Sequence, residues 1–387
     1  MVSQNFMAKK SNLTPSFSYV QKVGIIGAGL MGLEIAALNA RNHFSVQIFD
    51  SNSAMLRTVR KRLKEELADI EDENQLQEML DLVETGTLEE LADCDLIIEA
   101  VVEKFEVKAA LYETFKPFLR PNMIFTTNTS TIPIEKLSEV FPLPRNFAGF
   151  HFLHPVWNRE LVEVIPSTRT SEAVLQRLSD YSLSLEKTPL CVCDCPGFVV
   201  NRLLQPYLNE ALDFLLKGVS MESIEKAAVN FGMTWGPLRI MDEIGFDTVM
   251  NAGKTMLNAY ADRVKVSPIL LTMVKKKMLG RKAGGGFYLW GKDWRENVHS
   301  HDFQPEGFNP AAQEVIDYWK KTDETKYSLN EIGHQLAMAM ADEAERILND
   351  DVVSEQGQVD MAAVIGLAFP ESKRGPLAWK YREMEKK

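Results

Sequence analysis

The chain has 387 residues, 45% of them hydrophobic and 25% charged, with a formal net charge of −11. That length exceeds what one hydrophobic core serves, so two or three domains are expected, with the composition of a soluble globular protein. The negative balance argues against nucleic acid or an anionic membrane as the main partner, but a local basic patch can still receive an anionic small ligand.

No uncharged apolar run is long enough to span a bilayer. The opening stretch MVSQNFMAKKSNLTPSFSYV has neither the apolar core of a signal peptide nor an arginine, so residues 1–20 are read as a tail on a cytoplasmic protein. KVGIIG (22–27) is a short apolar run ended by glycine, the mark of a buried strand, and LMGLEIAALNARN follows with helical spacing. SVQIFD (45–50) is a second strand. A charged amphipathic helix then runs from Ser51 to about Ile70, capped by Ser51 or Ser53, and EDENQLQEMLDLVE continues helical.

CDLIIEAVV (94–102) is a clear strand, followed by a helix over EKFEVKAALYETFKPFL and a strand over MIFTTNTS. FAGFHF and LVEVI are strands joined by a loop around Pro155. A helix over SEAVLQRLSDYSLSL precedes a last strand, PLCVCD. Strands alternating with helices imply an α/β layer with a largely parallel sheet. After Pro196-Gly197 the pattern is helical from about Phe198 to Leu279, and GRKAGGGFYLW (280–290) closes that part. Residues 291–325 are polar and irregular, a linker or surface loop, and 326–387 are helical again.

The last part repeats the middle one. NEALDFLLKGV (209–219) resembles DEAERILNDDV (342–352), IEKAAV (224–229) matches VDMAAV (359–364), and GPL recurs at 236–238 and 375–377. Three matches in one order point to a duplicated helical unit. The fold class is therefore α/β plus all-α: a Rossmann-type domain at 21–197, a helical substrate domain at 198–290 and a second helical repeat at 326–387.

GAGLMG supplies Gly27, Gly29 and Gly32 between a strand and a helix. In this pattern the first glycine permits a tight turn, the second lets a pyrophosphate approach the backbone, and the third allows close helix–strand packing. Asp50 ends the next strand about twenty residues on, where a carboxylate can accept from a ribose 2′-hydroxyl and would repel a 2′-phosphate. No arginine directly follows it, so NAD is expected rather than NADP.

GFHFLHPVWNRELVEVI (149–165) places Glu163 among Leu161, Val162, Val164 and Ile165. An ionised carboxylate there needs a partner. The chain turns at Pro155, so Glu163 can meet a histidine, and an imidazole held by a carboxylate is an oriented general base. Spacing favours His151 over His154 without deciding between them, and a purely structural pair is the alternative.

Other clusters have plainer readings. Cys191, Cys193 and Cys195 share one face if CVCDC is a strand, but no histidine is near and Cys94 is distant, so reduced thiols are expected and no metal site. His299 and His301 in HSHD are read as surface residues. Arg57, Lys61 and Lys64 share a helical face with Arg60 beside them, either a phosphate-binding cluster or a solvated face. Ser130 and Asn128 can cap the helix starting near Ile132, and Asn201 the first helix of the next domain.

Together these segments resemble the L-3-hydroxyacyl-CoA dehydrogenases of fatty-acid β-oxidation. The segments are GIIGAGLMG, CDLIIEAVVEKFEVK, TTNTS, GFHFLHPVWNRELVEVI, DCPGFVVNRLL, FGMTWGPLRIMDEIGFDT and GRKAGGGFY. They run from about residue 20 to 290. DCPGFVVNR and the second repeat ending in GPL are most similar to the dehydrogenase half of the multifunctional α-subunits of bacterial fatty-acid oxidation complexes; the hydratase half is missing here. The resemblance implies NAD-dependent oxidation of an L-3-hydroxyacyl-CoA to the 3-ketoacyl-CoA, with His151 as base, Glu163 as its partner, and Ser130 and Asn201 on the substrate oxygens. It implies that Glu103 and Lys108 contact the cofactor and that Lys61 reaches coenzyme A. Asn128 joins Gly27, Gly29, Gly32, Asp50, Glu103 and Lys108 in the cofactor set, and Arg57 and Lys64 join Lys61. His154 departs from the asparagine or serine usual in the family, which bears on hydrogen bonding around the dyad and on substrate preference. Family members with one helical unit tend to pair through it, so a second unit in the chain favours a monomer, or association with separate hydratase or thiolase subunits. Short-chain 3-hydroxybutyryl-CoA or a free hydroxy acid is the alternative substrate, and a non-catalytic NAD-binding structural protein the alternative of another class.

Overall fold

The computed structural model describes residues 20–295, 303–321 and 326–385. The N-terminal tail, His299 and His301 lie outside the described residues. The chain divides into two compact units: one runs to Cys195 and takes in Val352–Ser354, and the other comprises Pro196–Asp351 and the chain from Glu355 onward.

The first unit is built on an eight-stranded sheet. Its strands are β1 (Lys22–Ile26), β2 (Ser45–Phe49), β3 (Val83–Thr85), β4 (Leu96–Glu99), β5 (Ile124–Thr127), β6 (Phe147–Phe152), β7 (Leu161–Pro166) and β8 (Thr188–Cys191). The order is β3-β2-β1-β4-β5-β6-β7-β8. Every pair is parallel except β6 and β7, which run antiparallel. The crossovers are α1 (Leu30–Arg41), α2 (Ser53–Glu66), α3 (Glu73–Asp81), α4 (Phe105–Phe115), α5 (Ile134–Val140) and α6 (Glu172–Ser184).

Central strands read as continuous apolar runs because helices cover both faces. Val23, Ile25, Val46, Ile48, Leu96 and Ile98 are buried in one core with Leu33, Ile35 and Ala36 of α1. Tyr112 of α4, Phe125, Phe141 and Phe147 form an aromatic cluster with ring centroids 4.7–6.2 Å apart.

Three local expectations are corrected. Asn52 caps α2 by accepting from Ala54 N, in place of Ser51 or Ser53. Val83 and Glu84 leave the helix and form edge strand β3. Strand β8 ends at Cys191, so Cys193 and Cys195 do not continue the strand alternation; Cys193 N instead donates to Val352 O.

The second unit holds α7 (Val200–Leu216), α8 (Met221–Phe231), α9 (Pro237–Ile244), α10 (Phe246–Ala259), α11 (Pro268–Lys275), α12 (Pro310–Trp319), α13 (Leu329–Asn349), α14 (Gln356–Met361) and α15 (Pro376–Glu385). Helix α12 lies inside the stretch read as a linker. Asn309 caps it, Pro310 occupies its first turn, and Ala312, Val315 and Ile316 form its buried stripe.

The duplicated motifs adopt matching structures. Glu225 in α8 accepts from Leu238 N at the start of α9, 2.8 Å. Asp360 in α14, at the matching place, accepts from Leu377 N (2.8 Å) and Ala378 N (3.1 Å) at the start of α15. A Cβ on Gly236 would fall 2.3 Å from Glu225 Oε1, and one on Gly375 2.3 Å from Asp360 Cβ. The glycine of GPL therefore makes room for a carboxylate cap in both copies.

The copies are joined by charge as well as packing. Arg202 of α7 is fully buried, with Nε 2.8 Å from Glu343 Oε1 and Nη2 2.7 Å from Asp350 Oδ2. Removing one member of a buried ion cluster leaves uncompensated charge, at a cost of about 3–5 kcal/mol. Arg202→Met is expected to destabilise the second unit by that order in urea unfolding; a change below about 1 kcal/mol would show that the carboxylates re-solvate freely.

Candidate active site

Strand order reverses between β1 and β4, which opens the crevice used by dinucleotides at the carboxyl ends of such sheets. The glycine turn lies there. Gly27 has φ +113°, and a Cβ on it would meet Ala100 O at 2.6 Å; a Cβ on Gly32 would meet Gly27 O at 1.8 Å. A Cβ on Gly29 would meet nothing within 4 Å, so the space above the turn is open. Gly29 is the N-cap of α1 and offers no capping side chain, and no acidic residue sits in the first turn. The leading N–H groups of α1 thus suit a pyrophosphate, and the residues fit the dinucleotide.

Asp50 ties the turn to β2. Its Oδ2 accepts from Ala28 N at 2.8 Å and its Oδ1 from Asn52 N at 2.8 Å. Arg62 of α2 donates to Ala28 O at 2.8 Å, a support with no sequence signal beyond its place on a charged helix.

The histidine pair follows from register. His151 of β6 lies directly opposite Glu163 of β7, and Nδ1 is 2.7 Å from Oε2. Glu163 is fully buried and His151 nearly so. Nε2 of the ring faces Ser130 Oγ at 3.1 Å. With Nδ1–H given to the carboxylate, Nε2 is left as the acceptor.

Ser130 does not cap a helix: α5 starts at Ile134 with Pro133 as its N-cap. Asn128 Oδ1 accepts from Phe152 N at 2.8 Å, joining the end of β5 to the end of β6. Glu103 Oε1 gathers Thr129 Oγ1 (2.5 Å), Ser130 N (3.0 Å), Thr131 N (2.9 Å) and Thr131 Oγ1 (2.8 Å). Burial pushes the Glu103 carboxyl up, but the Lys108 charge and the threonine donors outweigh it and hold the group below the usual carboxylate range.

Lys108 is buried, not a solvated helix lysine. Its Nζ lies 2.6 Å from Glu99 Oε1 and 3.6 Å from Glu103 Oε2. Glu99 also accepts from Val101 N (2.8 Å) and Thr127 Oγ1 (2.7 Å). Two buried carboxylates near the site have no part in the expectations from sequence. Glu99 ends the apolar run LIIE, and Glu34 sits in LMGLEIAAL; each has the isolated-carboxylate signature that drew attention to Glu163.

Arg57, Lys61 and Lys64 are exposed on α2, while Val59, Leu63 and Glu66 face inward. Arg60 is drawn aside by Asp81 at 2.9 Å. Asn201 lies in the first turn of α7 in the second unit and does not cap it, because the N-cap position belongs to Val199. Among the described residues no group of three or more metal-ligating side chains converges. Cys94 is buried, and burial pushes its thiol up to about 12.

A Rossmann sheet with an open glycine turn, and a His–carboxylate pair on adjacent strands, marks the class of nicotinamide-dependent dehydrogenases. Residues 22–195 match the 3-hydroxyacyl-CoA dehydrogenase NAD-binding domain, and residues 197–290 the 3-hydroxyacyl-CoA dehydrogenase C-terminal domain. The crystal structure of FadB2 from M. tuberculosis is 33% identical with a TM-score of 0.67, covering 70% of this chain and 99% of that one. The 3-hydroxybutyryl-CoA dehydrogenase of Escherichia coli K12 is 26% identical with a TM-score of 0.77, covering 94% and 91%. The fatty acid oxidation complex subunit alpha of Vibrio campbellii is 32% identical over 380 residues, 96% of this chain and 52% of that protein. The chain spans about half the length of the curated relatives it matches. It belongs to the 3-hydroxyacyl-CoA dehydrogenase family, and its first unit is that family's NAD-binding domain.

The glycine geometry separates packing from binding. Gly29→Ala is expected to leave stability within about 1 kcal/mol yet weaken NADH binding about tenfold or more, read by fluorescence titration. Gly32→Ala should instead lower stability by about 1–3 kcal/mol. Unchanged NADH affinity in Gly29→Ala would place the pyrophosphate elsewhere.

Proposed function

We propose that the protein oxidises an L-3-hydroxyacyl-CoA to the 3-ketoacyl-CoA with NAD, using the His151–Glu163 pair as general base. The observation that carries this is the cross-strand contact of 2.7 Å between a buried carboxylate and an imidazole whose other nitrogen faces Ser130. When bound, NAD supplies the hydride acceptor for C3. His151 Nε2 takes the proton from the 3-hydroxyl, and Glu163 fixes the ring and stabilises the imidazolium that forms. Ser130 Oγ, adjacent to Nε2, holds the reacting oxygen, and Asn201 is assigned to the substrate oxygens. Alignment of proton removal and hydride departure at one carbon supplies much of the rate.

Asp50 is assigned the ribose hydroxyls; Glu103, Lys108 and Asn128 shape the turn around the nicotinamide end. Arg57, Lys61 and Lys64 are assigned the coenzyme A phosphates, which exposed cations on one helix face suit. The relatives point to two acyl ranges. The name of the fatty acid oxidation subunits points to fatty acyl chains, and that of the 3-hydroxybutyryl-CoA dehydrogenase of Escherichia coli to a four-carbon acyl group.

His151→Ala is expected to abolish NADH oxidation with acetoacetyl-CoA while NADH still binds, and Glu163→Gln to lower kcat by about 10²–10⁴-fold. Turnover in His151→Ala would reject the base. Wild-type assays across acyl lengths and free 3-keto acids decide the substrate: activity with free acetoacetate equal to that with its CoA ester would remove coenzyme A from recognition, and no turnover with any ester would favour a non-catalytic binder.

The quaternary state follows from the repeat. Helix α13 of the second copy lies against α7 and α8 of the first, so that face of the first copy is covered within the chain. We infer a monomer, open to separate hydratase or thiolase subunits. Light scattering is expected to give the molar mass of one chain; two chains would refute internal cover.

A further inference from the structure

We propose that Glu34 and His154 form a positioning pair that fixes the turn after the catalytic histidine to the dinucleotide-binding helix. The proposal rests on His151 being the base. Glu34 lies in the second turn of α1, a helix whose other buried residues, Asn39 apart, are apolar or glycine, and only 4% of it is exposed. A carboxylate there is costly unless both oxygens are satisfied. Oε1 lies 2.8 Å from His154 Nδ1, at ion-pair distance, and Oε2 accepts from Val156 N at 2.9 Å. Both partners belong to the turn that joins β6 to β7, and so joins His151 to Glu163.

The turn is held from its other side by a cation. Lys187 Nζ donates to Val156 O at 2.7 Å and to Arg159 O at 2.8 Å. The peptide groups around Val156 are thus fixed at both ends, by α1 through Glu34 and by the start of β8 through Lys187. The two clamps differ in consequence. Lys187 reaches the turn from a neighbouring strand edge. Glu34 reaches it from the helix whose N-terminus suits the pyrophosphate, so it sets the distance between the dinucleotide and the segment that begins three residues after His151. A shift of about 1 Å between base and hydride acceptor can cost about a hundredfold in rate.

At position 154 an asparagine carries an N–H donor that can donate a hydrogen bond to Glu34 in place of the ion-pair contact. Alanine and phenylalanine cannot.

The test is made on the full chain with NADH and acetoacetyl-CoA. His154→Ala should lower kcat about tenfold with the NADH Kd within about twofold, and His154→Asn should return kcat to within about threefold of wild type. His154→Phe, which preserves ring volume, should match His154→Ala and serves if that variant does not fold. Glu34→Leu should lose a similar factor, and the double variant should be no worse than the poorer single, because one contact is removed once. Wild-type kcat in His154→Phe, failure of His154→Asn to rescue, or additive losses in the double variant would overturn the pair. Retained turnover in His151→Ala would instead overturn the base assignment, so the two failures read differently.

Discussion

The site depends on one reversal in an otherwise parallel sheet. Were β7 parallel to β6, a crossover of a dozen or more residues would separate them. Because they run antiparallel, a short turn joins them, and residues 151 and 163 become direct neighbours. A buried carboxylate opposite an imidazole then satisfies itself and orients the ring in one contact. The same reversal exposes the connecting turn to α1, where Glu34 meets it. Geometry of the pair and attachment of the turn both follow from strand direction.

Three buried carboxylates organise the edge of the sheet, each from a different element. Glu163 holds a ring, Glu34 a turn, and Glu99, at the end of β4, a lysine of α4 and the last threonine of β5. Glu103 adds a fourth, partly exposed, which gathers four donors from residues 129–131. That clamp gives the Ser130 turn its shape without any regular secondary structure. Ordinary strand ends would leave those backbone groups to water. Here they converge on charge, which explains why a polar turn can present Ser130 within hydrogen-bond reach of His151.

Much of this is legible from residue order because strong signals are local. Buried strands read as apolar runs, and GAGLMG between strand and helix fixes the turn. Glu163 stands out among aliphatic neighbours. What escaped depends on contacts distant in the chain. Glu34 and Glu99 look like lone acids on apolar elements until His154, Val156 and Lys108 are placed around them. Strand β3 has three residues and follows a helix, too few for a period to register. Helix α12 hides because its buried stripe is only Ala312, Val315 and Ile316, set between polar stretches. The Asn52 cap lost to Ser51 and Ser53 because serine and asparagine both cap well and only the backbone turn decides which one is placed.

The duplicated unit shows how a copy can change role. With Asn209 in register with Asp342, Asn201 and Arg202 of the first copy fall opposite His334 and Gln335 of the second. The second copy therefore lacks the Asn–Arg pair that starts α7. It provides acceptors instead: Glu343 and Asp350 meet Arg202 inside the unit. Glu343 is itself the counterpart of Glu210, which in the first copy lies 3.6 Å from Lys217. A residue facing an ordinary surface lysine in one copy thus holds a buried arginine in the other, next to the asparagine assigned to substrate. The helical caps at Glu225 and Asp360 stayed the same because each carboxylate holds the backbone of its own GPL turn. What diverged is what faces the other copy, which is where a second unit can support the first without repeating its chemistry.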